Sequence, residues 1–183
     1  MELSEKIKKL VEVLRVANDD VIGNVARQIF NLNWKEGLSA RNQAHKILDE
    51  LALTHQIQKG KGFYAVKGYQ GEYKEHDRAI SECISKLILL KHPIAIYRET
   101  VLSNAIRPDV MGLIGKDGKG LAFVLECCLS EADSYLEQKA VFWKHHNPLE
   151  EVFKTPIPHF TLVVHGKTHP DMMDFESFLE EAK

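Results

Sequence analysis

Hydrophobic residues in the first seventy positions recur at helical spacing in three successive stretches. The apolar side chains fall three or four positions apart, which is the period of a helix with one buried face. Asn18 stands before the second stretch and Gly37 before the third, at positions typical of helix starts. Two short β-type runs, residues 55–58 and 63–66, then flank a turn rich in glycine and lysine. The pattern predicts three helices followed by a β-hairpin.

The remaining residues alternate between helical and extended patterns in the order αβββαβα. One extended run is apolar nearly throughout, as in a central strand that is covered on both faces. We expect an α/β fold (α+β overall) with two domains, residues 1–70 and 71–183, the second built on a mixed central sheet. The predicted elements of the second domain are helices at residues 76–90, 131–146 and 170–182, the last beginning at Pro170, and strands at residues 93–99, 106–115, 121–129 and 159–165.

A two-residue turn in the second part predicts how two strands pair. Asp117-Gly118, with a lysine on each side, is the strongest sequence signal for a tight hairpin. If the flanking lysines pair, the same register places Asp109 directly opposite Glu126; a longer, bulged turn would shift it by one residue. Directly opposed side chains have Cβ atoms roughly 4.5–5.5 Å apart, so like charges repel there. Two carboxylates inside an apolar sheet need a proton or a cation between them, and Mg²⁺ (or Mn²⁺) is a natural occupant.

The distribution of charge and the cysteine content indicate which binding partner and which cellular compartment to expect. The formal net charge is −2, but residues 1–70 hold 11 Lys+Arg against 8 Asp+Glu, whereas residues 71–183 hold 13 against 18. A net basic first part is compatible with the phosphates of a nucleic acid. Three cysteines, two of them adjacent, form neither a disulfide framework nor a zinc motif and indicate a reducing cytoplasm. No apolar run is long enough to cross a membrane, and a homodimer is left open.

Three helices followed by a basic hairpin resemble a winged helix-turn-helix domain over residues 1 to about 68. The resemblance implies that the third helix reads double-stranded DNA in the major groove and that the hairpin contacts a phosphate or the minor groove. Asp49 and Glu50 limit how deeply that helix could enter the groove, and a protein-binding role for the same polar face is the alternative. The implied DNA contacts are polar or basic side chains on the third helix and the hairpin: Ser39, Arg41, Asn42, Gln43, Lys46, Lys59 and Lys61.

Two motifs of the second part resemble the PD-(D/E)xK nuclease superfamily. Arg107-Pro108-Asp109 lies on one predicted strand and Glu126-Cys127-Cys128 on the next, within the αβββαβ order. The resemblance implies a restriction-endonuclease-like fold in which Asp109 and Glu126 bind the metal. It also implies a lysine that positions or activates the attacking water, and Cys128 stands in the place of that lysine.

Two residues are candidates for the missing cation. Helical periodicity places Lys139 on the inward stripe of the helix that follows the third strand, where a lysine needs a partner. Some branches of the superfamily carry their lysine on this helix. Arg107, two residues before Asp109, is the second candidate and would stabilise charge. His76, on the inward side of the first helix of that domain, either orients a metal-bound water or a phosphate, or is a partly buried histidine with a structural partner.

The expected function is a DNA-binding protein with a metal-dependent endonuclease-like domain, hydrolysing phosphodiesters in DNA processing. A winged helix before a degenerate core with a relocated lysine also resembles the replication-relaxation type of proteins that plasmids and mobile elements carry. The alternative is a catalytically inactive nuclease-fold factor that binds DNA in regulation, replication or mobilisation. A third hypothesis is that the protein is a protein-interaction module.

Overall fold

The protein is described by a computed structural model covering residues 1–71, 74–102 and 107–183. Its contacts divide the chain into two compact units, Met1–Lys91 (unit 1) and His92–Lys183 (unit 2). Both units mix helices with strands, and unit 2 contains a mixed sheet, so the expected α/β class is confirmed at that level. None of the described helices is both long enough and apolar enough to span a bilayer.

Unit 1 combines four helices with a small antiparallel sheet of strand order β1-β3-β2. The helices bury their apolar faces against one another, as their 3.6-residue periodicity predicts. The hairpin turn is shorter than expected: Gly60 pairs with Phe63, which leaves only Lys61 and Gly62 in the loop. The elements are α1 (Leu3–Leu14), β1 (Val16–Ala17), α2 (Asp19–Ile29), α3 (Leu38–Leu53), β2 (Gln58–Gly60), β3 (Phe63–Ala65) and α4 (Glu75–Leu89).

Helices α2 and α3 approach closely because one of them has a glycine at the contact. A Cβ built on Gly23 would lie 2.6 Å from the carbonyl oxygen of Ala40, far inside van der Waals contact. At the start of α2 the side chain of Asn18 accepts a hydrogen bond from Val21 N at 2.8 Å and caps the helix. Together these two features set where α2 begins and how near it lies to α3.

Helix α4 is part of unit 1, although the sequence assigns it to the second domain. It packs on α2, α1 and β1, and the hydroxyl of Ser81 donates to Val16 O at 2.5 Å. The boundary between the units therefore falls after Lys91 rather than near Gly71. The apolar stripe of α4 identifies a buried face but not the element that covers it, which is why periodicity alone misplaced the boundary.

Unit 2 is built on a five-stranded sheet of order β4-β5-β6-β7-β8. The pairs β4–β5 and β5–β6 are antiparallel, whereas β6–β7 and β7–β8 are parallel. Trp143 and Leu149 pack on the face that carries Val124, and Phe178 meets Phe123 on the other. The elements are β4 (Ile94–Arg98), β5 (Val110–Lys116), β6 (Lys119–Cys127), α5 (Asp133–His145), α6 (Pro148–Phe153), β7 (Thr161–His165), β8 (Met173–Asp174) and α7 (Phe175–Ala182).

The turn between β5 and β6 has the predicted conformation. Asp117 and Gly118 both have positive φ, 51° and 74°, as a two-residue hairpin turn requires. Lys116 pairs with Lys119 at one end of the ladder and Val110 pairs with Leu125 at the other. The register inferred from the turn is therefore confirmed along the whole hairpin.

Four elements of unit 2 differ from expectation, and one of them, the two-residue strand β8, lies where the last helix was expected. Strand β5 begins at Val110 rather than at residue 106, and Ile106 lies outside the described residues. Helix α6 was not predicted; Asn147 caps it by accepting from Leu149 N at 3.1 Å. Pro170 does not start the last helix but lies in a turn. Helix α7 starts after Asp174, whose carboxylate accepts hydrogen bonds from the backbone N–H groups of Glu176 and Ser177. This capping by Asp174, and not Pro170, sets where the helix begins.

Candidate functional site

Two acidic side chains meet at one end of the β5–β6 hairpin. Glu126 is the last but one residue of β6 and is fully buried, and Asp109 stands one residue before β5 and is 7% exposed. Because Val110 pairs with Leu125, the next position of the same register brings Asp109 to Glu126. The backbone N–H of Cys127 donates to Asp109 Oδ2 at 2.7 Å, which anchors that carboxylate to β6.

Lys139 reaches this carboxylate pair from α5. Its Nζ donates to Oε2 of Glu126 at 2.5 Å, and its side chain is only 19% exposed. The ammonium also lies 5.1 Å from the ring centre of Tyr135, one turn earlier in the helix. Lys139 thus points at the sheet as periodicity predicts, whereas Tyr135 is 45% exposed.

Trp143 is a member of this site that the sequence analysis did not identify. Its indole Nε1 donates to Oε1 of Glu126 at 2.6 Å, and the side chain is 1% exposed. Both oxygens of the carboxylate therefore accept a hydrogen bond from α5. The signal was present, since a buried tryptophan needs an acceptor for its N–H and Lys139 lies one helical turn away on the same face.

The charges in this site perturb one another. Burial, and next the nearby charge of Asp109, raise the pKa of Glu126 to about 7. Burial on its own lowers the pKa of Lys139, but the charges of Glu126 and Asp109 outweigh it and hold that pKa above its ordinary value. Lys139 is therefore a fixed positive charge at neutral pH, set against a carboxyl group that binds a proton more readily than usual.

Cys128, which stands where the nuclease motif has lysine, is a core residue. Its side chain is fully buried and packs with Leu136, Ala140 and Val164. Burial raises the pKa of the Cys128 thiol to about 12, so it carries no charge at neutral pH. The thiol supplies neither a cation nor a reactive thiolate.

The remaining two residues predicted for this site are not brought to it by the described contacts. Arg107 is exposed and precedes β5, and it is not among the groups that chiefly shift the pKa of Glu126 or of Lys139. His76 lies on α4, within unit 1, and is half-buried. The cation beside the carboxylate pair is thus Lys139 and not Arg107.

The metal that the nuclease resemblance implies does not fit this donor set. Mg²⁺ takes six oxygen ligands, waters included, so it needs room for its waters and no competing cation against the carboxylates that hold it. Here Glu126 is fully buried and both its oxygens already accept a hydrogen bond, from Lys139 and Trp143. Across residues 1–71, 74–102 and 107–183, no three His, Cys, Asp or Glu side chains gather into a metal-ligating group. The ammonium of Lys139 supplies the positive charge at this position.

Unit 1 carries a second cluster of charged groups, on the side of α3 that faces the start of α2. Asp19 accepts from Arg41 Nε at 3.1 Å through one oxygen, and its other oxygen lies 3.0 Å from His45 Nδ1. The side chains of Arg41 and His45 are half-exposed, at 51% and 46%. One predicted DNA contact, Arg41, is therefore already paired with an acid inside the unit.

The same cluster extends to the hairpin. Lys59 donates to Asp49 Oδ1 at 2.7 Å, and the hydroxyl of Tyr64 donates to the same oxygen at 2.5 Å. These two hydrogen bonds, that of Lys59 first, lower the pKa of Asp49 below its ordinary value. Burial, and then Asp49, raise the pKa of Tyr64. A second predicted DNA contact, Lys59, is thus also paired.

The other predicted DNA contacts of unit 1 differ in exposure. Ser39 is half-buried, whereas the remaining four are exposed: Asn42, Gln43, Lys46 and Lys61. A cleft of about 550 Å³ opens beside the paired side of α3. It is lined by Asn18, Asp19, Asp20, Arg41, His45, Lys59, Gly60, Gly62, Phe63, Tyr64 and Arg78.

The two sites are thus of opposite kinds, one buried and internally neutralised, the other open to solvent. No protein-family model and no curated protein matches the sequence. The chemistry of the two sites therefore follows from their own residues.

Proposed function

We propose that the protein binds double-stranded DNA through unit 1, and that unit 2 is a nuclease-like scaffold whose central carboxylates are neutralised by a lysine. The observation that carries the DNA-binding part is the exposed line Asn42, Gln43 and Lys46 on α3, together with Lys61 in the hairpin turn. Amide side chains can pair with base edges, and lysines can neutralise phosphates.

The arrangement of unit 1 supports this use of α3. Three helices precede a short hairpin, and the hairpin joins β1 in a sheet of order β1-β3-β2, as in a winged helix-turn-helix. In such a domain the third helix is the one that enters the major groove, and its N-terminal part contacts base edges. Asn42 and Lys46 are one helical turn apart, so they present a single face.

The donor set of unit 2 supports a role without metal-dependent hydrolysis. Asp109 and Glu126 are brought together as in the nuclease superfamily, but Lys139 and Trp143 occupy both oxygens of Glu126. A metal ion at Glu126 would have to displace the ammonium of Lys139 and bring its waters to a fully buried carboxylate. A DNA-binding factor in regulation, replication or mobilisation needs no such site.

Titration of a labelled DNA duplex with the full chain, followed by fluorescence anisotropy at several salt concentrations, tests the DNA-binding part. Affinity should fall linearly with salt on logarithmic axes, and reversing Lys46 and Lys61 to glutamate should reduce that slope by about one unit per residue. Lys119→Glu is the matched control, an exposed lysine in unit 2 that faces Lys116 across its hairpin. Absence of salt-dependent binding would contradict the proposal and favour a protein-interaction module.

Incubation with supercoiled plasmid and Mg²⁺ or Mn²⁺ tests the second part. We expect no nicking or linearisation by the wild-type chain. Cleavage that disappears in Asp109→Ala and in Lys139→Ala, with both variants shown by circular dichroism to be folded in the assay buffer, would show that the site is catalytic. It would overturn the assignment of Lys139 as a permanent neutralising charge.

A further inference from the structure

The guanidinium of Arg41 is held by the protein at one position only. Its Nε donates to Oδ1 of Asp19 at 3.1 Å, and the side chain remains 51% exposed. Among the described residues, neither terminal nitrogen of Arg41 donates a hydrogen bond to a protein acceptor. Because a guanidinium is planar, a hydrogen bond at Nε orients the two terminal NH₂ groups while leaving them open to a ligand.

Asp19 is itself well anchored. It is the first residue of α2, directly after the capping residue Asn18, where the helix dipole favours an acidic side chain. Its second oxygen lies 3.0 Å from His45 Nδ1, and its side chain is only 13% exposed. Asp19 therefore restrains Arg41 from a rigid element and does not depend on Arg41 for its own position.

The position of Arg41 is that of a base-reading residue. It lies in the first turn of α3, and the N-terminal residues of a recognition helix are those that contact base edges. It also lines the 550 Å³ cleft, and the cations Lys59 and Arg78 line the same opening. A Cβ on Gly62, at the hairpin side of the cleft, would meet nothing within 4 Å, so that side is open.

We propose that Arg41 reads a guanine in duplex DNA through its two terminal nitrogens, with Asp19 as the positioning residue; this rests on the proposed DNA-binding function of unit 1. Guanine presents two acceptors, O6 and N7, to the major groove, and a bidentate arginine is their usual partner. The charge of Asp19 weakens the attraction of Arg41 for a phosphate, whereas guanine's acceptors are neutral. The aspartate therefore favours a base edge over the DNA backbone.

Selection of duplexes with a randomised centre by the full-length wild-type chain should recover a guanine at one fixed position. Replacing that guanine by 7-deazaguanine, which lacks the N7 acceptor, should weaken binding by wild type on the order of tenfold and leave Arg41→Ala unaffected. Arg41→Lys keeps the charge but loses the planar pair of donors. If Arg41 held a phosphate instead, Arg41→Lys would keep the wild-type preference among duplex sequences, and 7-deazaguanine would not weaken binding. That result would overturn the proposal.

Asp19→Asn separates positioning from a merely structural role. The substitution removes a negative charge, so affinity for duplexes without the selected guanine should rise, while the preference for guanine should fall severalfold. A structural defect would lower both affinities together. Unchanged preference in Asp19→Asn would show that the aspartate does not orient Arg41.

Different results would distinguish a failure of this inference from a failure of the proposed DNA-binding function. Loss of all salt-dependent DNA binding by wild type would remove the proposed function and this inference with it. Salt-dependent binding with no preference for guanine, or with a preference that Arg41→Ala retains, would refute the inference alone. Lys46→Ala is the matched control on α3, for which we expect an equal loss on every sequence and a salt slope lower by about one.

Discussion

The two units gather similar residues, acids beside lysine or arginine and an aromatic donor, and place them in different environments. In unit 1 Asp49 meets Lys59 and Tyr64 at the surface, with the lysine side chain 47% exposed. In unit 2 Glu126 meets Lys139 and Trp143 with no exposure of the carboxylate at all. Solvent therefore screens the first cluster, whereas it reaches only part of Lys139 in the second and none of Glu126.

This difference decides what each cluster can do. Exposed ion pairs contribute little to stability and exchange partners readily, which leaves their cations available to an incoming phosphate or base. A buried pair cannot lose one member without leaving the other charge uncompensated. The surface cluster is suited to recognition, and the buried cluster to holding one arrangement of β6 and α5.

The largest effect should come from breaking the buried pair. Lys139→Ala leaves Glu126 without its cation, and we expect the free energy of unfolding at pH 8 to fall by about 3–5 kcal/mol. Urea unfolding followed by circular dichroism measures this loss. Lys144→Ala is the control on the same helix, because Lys144 forms an exposed pair with Asp171 at 2.7 Å. Equal losses in both variants would contradict the comparison between buried and exposed pairs.

The pH dependence of stability should have opposite signs in the two units. The pKa of Glu126 is raised to about 7 by burial and by Asp109, whereas the unfolded chain titrates it near 4.5. The folded state thus binds the extra proton between these values. Unit 2 should therefore be more stable at pH 5 than at pH 8, by about 3 kcal/mol at most. Glu126→Gln should abolish this dependence, as measured by hydrogen exchange of β6 amides.

In unit 1 the hydrogen bonds from Lys59 and Tyr64 lower the pKa of Asp49, so its contribution is present above the ordinary value of 3.8 and is lost as pH falls through the folded-state value. Hydrogen exchange of α3 amides should therefore accelerate only in strongly acidic buffer. A gain of protection in α3 as the pH falls, absent in Asp49→Asn, would contradict this sign.

A smaller effect should come from the backbone contact between α2 and α3. Gly23→Ala places a Cβ 2.6 Å from Ala40 O, and relieving that overlap should cost about 1–3 kcal/mol of stability. Thermal unfolding of Gly23→Ala beside Gly120→Ala measures it, since a Cβ on Gly120 meets nothing within 4 Å. A loss in Gly23→Ala no larger than in the control would show that the helices separate freely.

The smallest effect should come from the surface pair of unit 1. Lys59→Ala removes one exposed ion pair, and we expect less than about 1 kcal/mol of lost stability. The same urea titration used for Lys139→Ala measures it. A loss of several kcal/mol would mean that the surface cluster is as strongly coupled to folding as the buried one, and the distinction between the units would fail.

The buried site follows from two local signals in the sequence. The Asp117-Gly118 turn sets the register of β5 and β6 and so brings Asp109 to Glu126, and helical periodicity turns Lys139 toward them. Both signals act over short distances along the chain, where geometry leaves few alternatives. The indole donor of Trp143 was missed because an inward tryptophan is equally compatible with plain core packing.

Contacts between elements that lie far apart along the chain were harder to predict from the sequence. Strand β1 is only two residues long, Val16–Ala17, and exists because β3 pairs with it. The ion pair of Arg41 with Asp19 joins residues of two helices, and nothing in the local pattern selects one acid among several. The assignment of α4 to unit 1 likewise depends on which apolar surface remained uncovered.

The hydrogen bond between Trp143 and Glu126 has an optical consequence. The chain holds two tryptophans, and they fall in different units, Trp34 in the first and Trp143 in the second. A buried indole emits at shorter wavelength than one in water, and the emission of Trp143 should respond to the charge of the carboxylate that it contacts. With Trp34 replaced by phenylalanine, the protein reports the state of its own buried site without any label.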